Sequence, residues 1–310
     1  MPQPGTIRIP RGPRTPPCTV MTGTSGYSYL EWVDSGFYPS GTRSAEMLSV
    51  YGRSFSVVEL NYTWYQMARS DALSRMLAAA PAHMLFAAKL TRTVTHERDE
   101  DWREQVSCYR QGISALGKRL VAILVQLPPD FARTVANRQF LAELLDGLHP
   151  LPTAVEFRHA SWAVDSVFKE LERRRVTLVS VDEPDLPGLF PALDVVTNPS
   201  LFYVRFHGRN RQGWKDGNMQ KKFDYDYSET ELQQWSRQKL SVLAGRAGRG
   251  VIFFNNHVRA QAPRNALLLE SLIGTQDVSG NAGGRSDRRQ GKKEASGDHG
   301  SACHPAPQRR

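Results

Sequence analysis

Cysteine is scarce in this chain of 310 residues, and the three present, at 18, 108 and 303, show no paired spacing. That excludes a disulfide-stapled scaffold and a cysteine zinc ribbon, and it fits a reducing compartment. Long apolar runs are missing too. No stretch approaches the roughly 20 apolar residues that span a bilayer, and the N-terminus lacks the apolar core of a signal peptide. A cytoplasmic protein without a membrane partner is therefore expected. The chain also lacks a Walker or Rossmann glycine fingerprint, because the Gly-rich GTSG at 23–26 has the spacing of neither. That turn either cradles an anion on its backbone N–H groups or simply lets Tyr27, Tyr29, Trp32 and Tyr38 pack nearby.

Large hydrophobes are sparse at both ends. Residues 1–17 are proline-rich, and 277–310 are rich in Gly, Ser, Arg and Lys. Neither end can bury enough surface to offset chain entropy, so both are expected to be disordered tails around one domain at 18–276. Each tail contributes +3 of the +9 net charge, leaving +3 on the body. Composition thus demands no nucleic-acid footprint within the fold, although the basic C-terminal tail offers electrostatic attraction to nucleic acid.

Eight short apolar runs lie between these ends, at 18–23, 57–61, 85–89, 121–126, 153–159, 177–182, 201–207 and 251–257. Their apolarity is continuous rather than alternating, and a helical pattern follows after each loop. This predicts parallel strands covered on both faces, and the size predicts a single (β/α)8 TIM-type barrel. Covering helices are expected over 42–53, 137–148 with an Asn cap, 163–175, 229–246 behind a Ser228/Glu231 capping box, and 261–273. One long irregular connection, 208–227, mixes cations with Trp214, Phe223, Tyr225 and Tyr227 and reads as a lid.

The runs end in polar residues, which a parallel sheet gathers at one edge. Candidate acid–base groups are Glu59, Glu156, Asp182 and His207. Candidate ligand-binding groups are Ser25, Tyr27, Asn61, Tyr65, Lys89, His96, Gln126, Arg158, Arg205, Asn255 and His257. Strand pleating turns Glu156 with Arg158, Glu59 with Asn61, Arg205 with His207, and Asn255 with His257 to common faces. Carboxylates or histidines beside arginine and lysine suit proton transfer on a small anionic, polyhydroxylated ligand such as a sugar phosphate or nucleotide fragment. The same charges also suit purely architectural ion pairs, for example Glu59–Lys89 or Glu156–Arg205. A divalent metal among Glu59, Glu156, Asp182, His207 and His257 would instead suit a phosphodiesterase or nuclease, by fold analogy with endonuclease IV. A non-catalytic protein that binds nucleic acid or a metabolite is the third reading.

Nine motifs carry a family resemblance: GTSGYSYLEW (23–32), GFYP (36–39), VVELNYTWY (57–65), Lys89 followed by Thr95-His96, LVQLPP (124–129), AVEFRHASW (154–162), VDEP (181–184), YVRFHGRN (203–210), and FFNNH (253–257) with Arg264-Asn265-Ala266. In this order they resemble the YecE-like proteins, domain of unknown function 72, over residues 18–273. The resemblance implies a TIM-type barrel with its site at the strand ends. It implies no particular reaction.

Overall fold

The computed structural model of the chain describes residues 3–12 and 15–282. The apolar runs form strands, because β-branched and aromatic side chains here pack on both sheet faces. The strands are β1 Thr6–Ile9, β2 Cys18–Thr24, β3 Val57–Leu60, β4 Leu85–Lys89, β5 Leu120–Gln126, β6 Thr153–Glu156, β7 Thr177–Asp182, β8 Phe202–Phe206 and β9 Arg249–Phe254. They join in one sheet of order β1-β2-β9-β8-β7-β6-β5-β4-β3. β1 runs antiparallel to β2, and the other pairs are parallel.

This corrects the expected fold: a closed (β/α)8 TIM-type barrel does not form. The nine strands make a mixed sheet open as a half-barrel, and no ladder joins β2 to β3. Among the described residues the backbone pairing across this gap is one isolated bridge, Ser25 with Glu59, where the Gly26 N–H donates to the Glu59 carbonyl at 2.8 Å. Two sequence features account for the departure. Residues 6–9 pair with Cys18–Met21 as an extra antiparallel strand, so the expected disorder of 1–17 does not hold there. Between β7 and β8, residues 183–201 contain no helix. Prolines at 184, 187, 191 and 199 keep this connection from becoming the helix an eightfold repeat requires.

The covering helices follow their apolar stripes. Ser44–Tyr51 buries Met47, Leu48 and Tyr51. Val135–Leu148 buries Leu141, Leu144, Leu145 and Leu148, but its cap is Thr134, whose hydroxyl accepts from the Asn137 N–H at 3.1 Å. Asn137 lies inside the helix and donates instead to the Ala132 carbonyl. The Ser228/Glu231 capping box forms as expected. The C-terminal helix Gln261–Ala282 continues past the boundary placed at 276, and the remainder of the expected tail lies outside the described residues. The long 208–227 connection contains two short helices, Arg211–Asp216 and Met219–Phe223.

Outward-facing strand residues build the apolar layer beneath the helices. Phe206 stacks on Phe254 at 4.5 Å and meets Trp235 at 4.9 Å, while Phe157 stacks on Trp162 at 4.7 Å. The opposite strand parity is left for charge. Where β2 nears β3, a Cβ on Gly23 would lie 2.3 Å from the Val57 carbonyl oxygen. Gly23→Ala is therefore expected to cost about 1–3 kcal/mol by overpacking. An unchanged thermal midpoint for that variant would contradict the close approach.

Candidate functional site at the strand ends

Alternation along β3, β6 and β8 turns Glu59, Glu156, Tyr203 and Arg205 inward, and the residues just beyond the strands add Arg158 and His207. Arg205 lies between the two glutamates, 2.7 Å from Glu59 and 2.7 Å from Glu156. Its second terminal nitrogen also donates to the Ser25 hydroxyl at 3.3 Å. The Tyr203 hydroxyl donates to the other Glu59 oxygen at 2.6 Å. Arg158 pairs with Glu156 at 2.5 Å and donates to Glu183 at 2.8 Å. Glu59, Glu156 and His207 are fully buried, so this is a dry, charge-balanced floor.

Burial alone would raise the Glu156 carboxyl, but the adjacent Arg158 and Arg205 hold it well below the usual carboxylate range. His207 is pushed well below its ordinary value by burial and by Arg158. Its Nε2 lies 2.9 Å from an Arg158 nitrogen, which can only donate. Nε2 therefore accepts from Arg158 rather than donating to the Glu156 oxygen 3.3 Å away, Nδ1 carries the proton, and the Asn255 amide 3.1 Å away is best turned to present its oxygen.

The rim above the floor is half-buried and carries unpaired ammonium groups, whereas the floor atoms without a hydrogen bond, Glu156 Oε1, Arg158 Nε and Arg205 Nε, belong to ion-paired side chains. Lys89 lies over the Trp64 ring at 4.5 Å and Lys222 over the Trp214 ring at 3.5 Å. Neither ammonium makes an ion pair or hydrogen bond among the described residues. Both indole N–H groups, the Asn61 carboxamide oxygen and one Glu183 carboxylate oxygen are buried without a hydrogen-bond partner. Burial and the nearby Arg205 push Lys89 down to about 7, and burial with Arg158 pushes Lys222 to about 8. Burial raises Glu183 to about 7, and burial together with Lys89 lowers His96 to about 4.

These shifts fix the sign of a pH dependence. The fold disfavours protonated Lys89, a penalty fully present below pH 7 and lost as pH rises toward 10.5. Stability from this group therefore rises with pH over that window. Glu183 acts oppositely: it holds a proton in the fold from 4.5 to about 7, so its contribution falls as pH rises through that range. Urea midpoints at pH 7 and pH 9 are expected to differ less in Lys89→Met than in the native chain. Equal differences in the two proteins would contradict the burial of that amine.

The structure thus brings together Ser25, Glu59, Glu156, Arg158, Arg205, His207 and Asn255 in the floor. Asn61, Lys89 and His96 stand at the rim, where His96 meets the Trp64 ring at 5.1 Å and its Nδ1 lies 2.8 Å from the Thr95 hydroxyl. Half-buried Gln126 pairs in register with Glu156. Other candidates lie apart. Asp182 is held by Arg209 through two contacts of 2.8 and 2.6 Å and by the Tyr227 hydroxyl at 2.8 Å, which makes it the anchor of the 208–227 segment. His257 stacks on Tyr29 at 4.9 Å and lies 3.5 Å from Glu31. Tyr65 is 67% exposed. Tyr27 belongs to the aromatic cluster behind GTSG, with Trp32 and Tyr38 buried in it and Gly26 at a φ of +87° making the turn. Three residues of this site are not among the sequence candidates: Tyr203, Glu183 and Lys222. Tyr203 was legible, since it shares strand parity with Arg205.

The proposed metal ligands do not fit a divalent ion. Glu59 and Glu156 are committed to guanidinium groups and Asp182 to Arg209, and no three His, Cys, Asp or Glu side chains are grouped to hold a metal among the described residues. Clefts of about 370 and 580 Å³ lie at the opposite, N-terminal strand ends, lined by Thr153 and Thr177 in one case and by His149 and Arg175 in the other. No described helix is long and apolar enough to cross a membrane. Cys18 is buried and Cys108 exposed, both as free thiols.

A mostly parallel half-barrel with a guanidinium–carboxylate floor and lysine–tryptophan pairs at its rim defines an α/β protein with one polar site at the strand ends. The family model described as "Protein of unknown function DUF72" matches residues 21–288, and the chain belongs to that family. The UPF0759 protein YunF of Bacillus subtilis (strain 168) is 27% identical over 260 residues, covering 78% of this chain and 92% of that protein. Among solved structures, the DUF72 family protein of Thermotoga maritima MSB8 is 33% identical with a TM-score of 0.75, over 82% of this chain and 99% of the other. The DUF72 family protein of Enterococcus faecalis V583 is 25% identical with a TM-score of 0.73, over 82% and 95%.

Proposed function

We propose that the chain is an enzyme that binds a small anionic, polyhydroxylated ligand, such as a sugar phosphate, at the strand ends and performs acid–base chemistry on it. One observation carries this reading. Over a floor whose charges are already balanced, the rim presents two unpaired lysines, each on an indole whose buried N–H has no partner. Buried donors without acceptors are costly unless a ligand satisfies them. Cations with indole N–H groups suit an anion, and aromatic rings suit the apolar faces of a sugar.

Glu59 and Glu156 then serve as counter-ions rather than as the acid or base, because arginines and Tyr203 hold their oxygens, the Glu156 oxygen without a hydrogen bond still being ion-paired to Arg158 at 2.5 Å. Glu183 is the better proton carrier. It has one free oxygen, and its pKa of about 7 lets it give and take a proton near neutrality. The 208–227 segment, which carries Trp214 and Lys222, would open to admit the ligand and close to exclude water. A metal-dependent hydrolase lacks its donor set here, and tail-driven nucleic-acid binding draws on residues that lie mostly outside those described.

Calorimetric titration with glycerol 3-phosphate tests the reading. Loss of Lys222 removes a charge-assisted contact, so Lys222→Met is expected to weaken binding by about tenfold or more, corresponding to ~1.5–3 kcal/mol. Lys118→Met, at an exposed position remote from the rim, is expected to bind as the native chain does. Equal affinity in all three proteins, or no binding to the native chain, would sink it.

A further inference from the structure

The two rim lysines are not equivalent. Lys222 belongs to the covering segment, whereas Lys89 ends strand β4. The Lys89 carbonyl accepts from the Thr63 hydroxyl at 2.7 Å and from the Tyr109 hydroxyl at 3.1 Å, so its backbone is pinned. The nearby carboxylates Glu59 and Glu156 are held by Arg205 and Arg158. An ammonium at this position has no free anion to pair with, since both nearby carboxylates are already taken by guanidinium groups. The Lys89 side chain is partly buried, with its amine over the Trp64 face. A fixed amine at a strand end, on an indole face and without a counter-ion, is arranged as a nucleophile rather than a structural charge.

We propose that Lys89 is a catalytic nucleophile whose amine forms an imine with the carbonyl carbon of an open-chain sugar phosphate, while Lys222 holds the phosphate. This rests on the reading of the mouth as a sugar-phosphate site and adds the bond that reacts. The nitrogen lone pair forms the C–N bond as the carbonyl π pair moves to oxygen. The resulting carbinolamine loses its hydroxyl together with a hydrogen, and both amine hydrogens end on that oxygen. One carbonyl and one amine give one imine and one water, with no oxidant or reductant. A protonated imine then draws electrons from the neighbouring C–H or C–C bond, which places the reaction among isomerisations and aldol-type cleavages. The depression of Lys89 to about 7 supports the geometry by leaving much of the amine neutral at physiological pH.

The test uses the full chain with glyceraldehyde 3-phosphate and sodium cyanoborohydride, which traps an imine as a stable amine, followed by peptide mass mapping. At pH 7 the adduct is expected at Lys89 at least about tenfold faster than at exposed Lys118 and Lys169. Glycerol 3-phosphate, which lacks the carbonyl, should slow it by competition. In the native chain the labelling rate at Lys89 should reach half its maximum near pH 7, a readout that needs no variant to fold. Lys89→Arg should lose that adduct. If glycerol 3-phosphate binds the native chain but the adduct forms at Lys222, or evenly over surface lysines, the nucleophile assignment is overturned and the site reading stands. If glycerol 3-phosphate does not bind and no adduct forms at Lys89, both are overturned.

Discussion

Arg205→Met is expected to lower stability by about 3–5 kcal/mol, because it leaves Glu59 and Glu156 buried with their shared counter-ion removed. For a chain of this size the thermal midpoint should fall on the order of 10 °C. Methionine roughly preserves the length and apolar stem of arginine, so packing alone predicts a much smaller loss. Adding Glu59→Gln should recover part of the loss by removing one uncompensated charge, and the double variant would then be more stable than the single. Full stability in Arg205→Met would mean that the floor is not the dry, tightly coupled network its geometry describes. A double variant no better than the single would mean that charge burial is not the cause. The floor is also sensitive to acid. The depressed pKa of Glu156 contributes stability above its ordinary 4.5, and that contribution is lost as pH falls through the folded value.

The second large effect concerns the cover over the site. Asp182 accepts two hydrogen bonds from Arg209 and one from Tyr227, while the Tyr227 oxygen accepts from the Gly208 N–H at 2.9 Å. Both ends of the 208–227 segment are therefore tied to a single carboxylate. Asp182→Asn removes the charge and at least one acceptor contact, at a cost of about 1.5–3 kcal/mol. Amide hydrogen exchange at Trp214 and Lys222, whose N–H groups bond within the segment, should then rise about 10- to 100-fold through local opening. Amides of β5 and β6 should be unaffected. Acceleration across the whole sheet would show that Asp182 supports the entire fold instead, and no acceleration would show that it does not anchor the segment.

The eight parallel strands were legible because uninterrupted runs such as VAILVQ and FYVRF tolerate only burial on both faces. Strand parity also placed Glu156 with Arg158, and Arg205 with His207, on shared faces, as found. Three things were not legible. TIRI at 6–9 is short and lies among prolines, and it becomes a strand only through its partner at 18–21, a non-local pairing that local pattern cannot show. The proline-rich 183–201 connection breaks the strand–helix repeat, and with it the closed barrel that counting strands had suggested. Which charge meets which partner depends on distances across the sheet. Glu59 and Glu156 therefore read as acid or base, although Arg205 binds both, and Glu183 was passed over although it has the free oxygen and the raised pKa. Trp214 reads from sequence as an aromatic residue of a lid and Lys222 as one of its cations, but their pairing is not legible, since nothing in a loop sequence fixes an ammonium over an indole.

A crystal structure of the full chain with glycerol 3-phosphate tests the central claim most directly. The phosphate is expected beside Lys222, accepting from the Trp214 indole N–H, with the glycerol hydroxyls turned toward Lys89 and Trp64. Density for the ligand at the N-terminal strand ends, or a mouth that stays empty at saturating ligand, would contradict a ligand site built on the guanidinium–carboxylate floor.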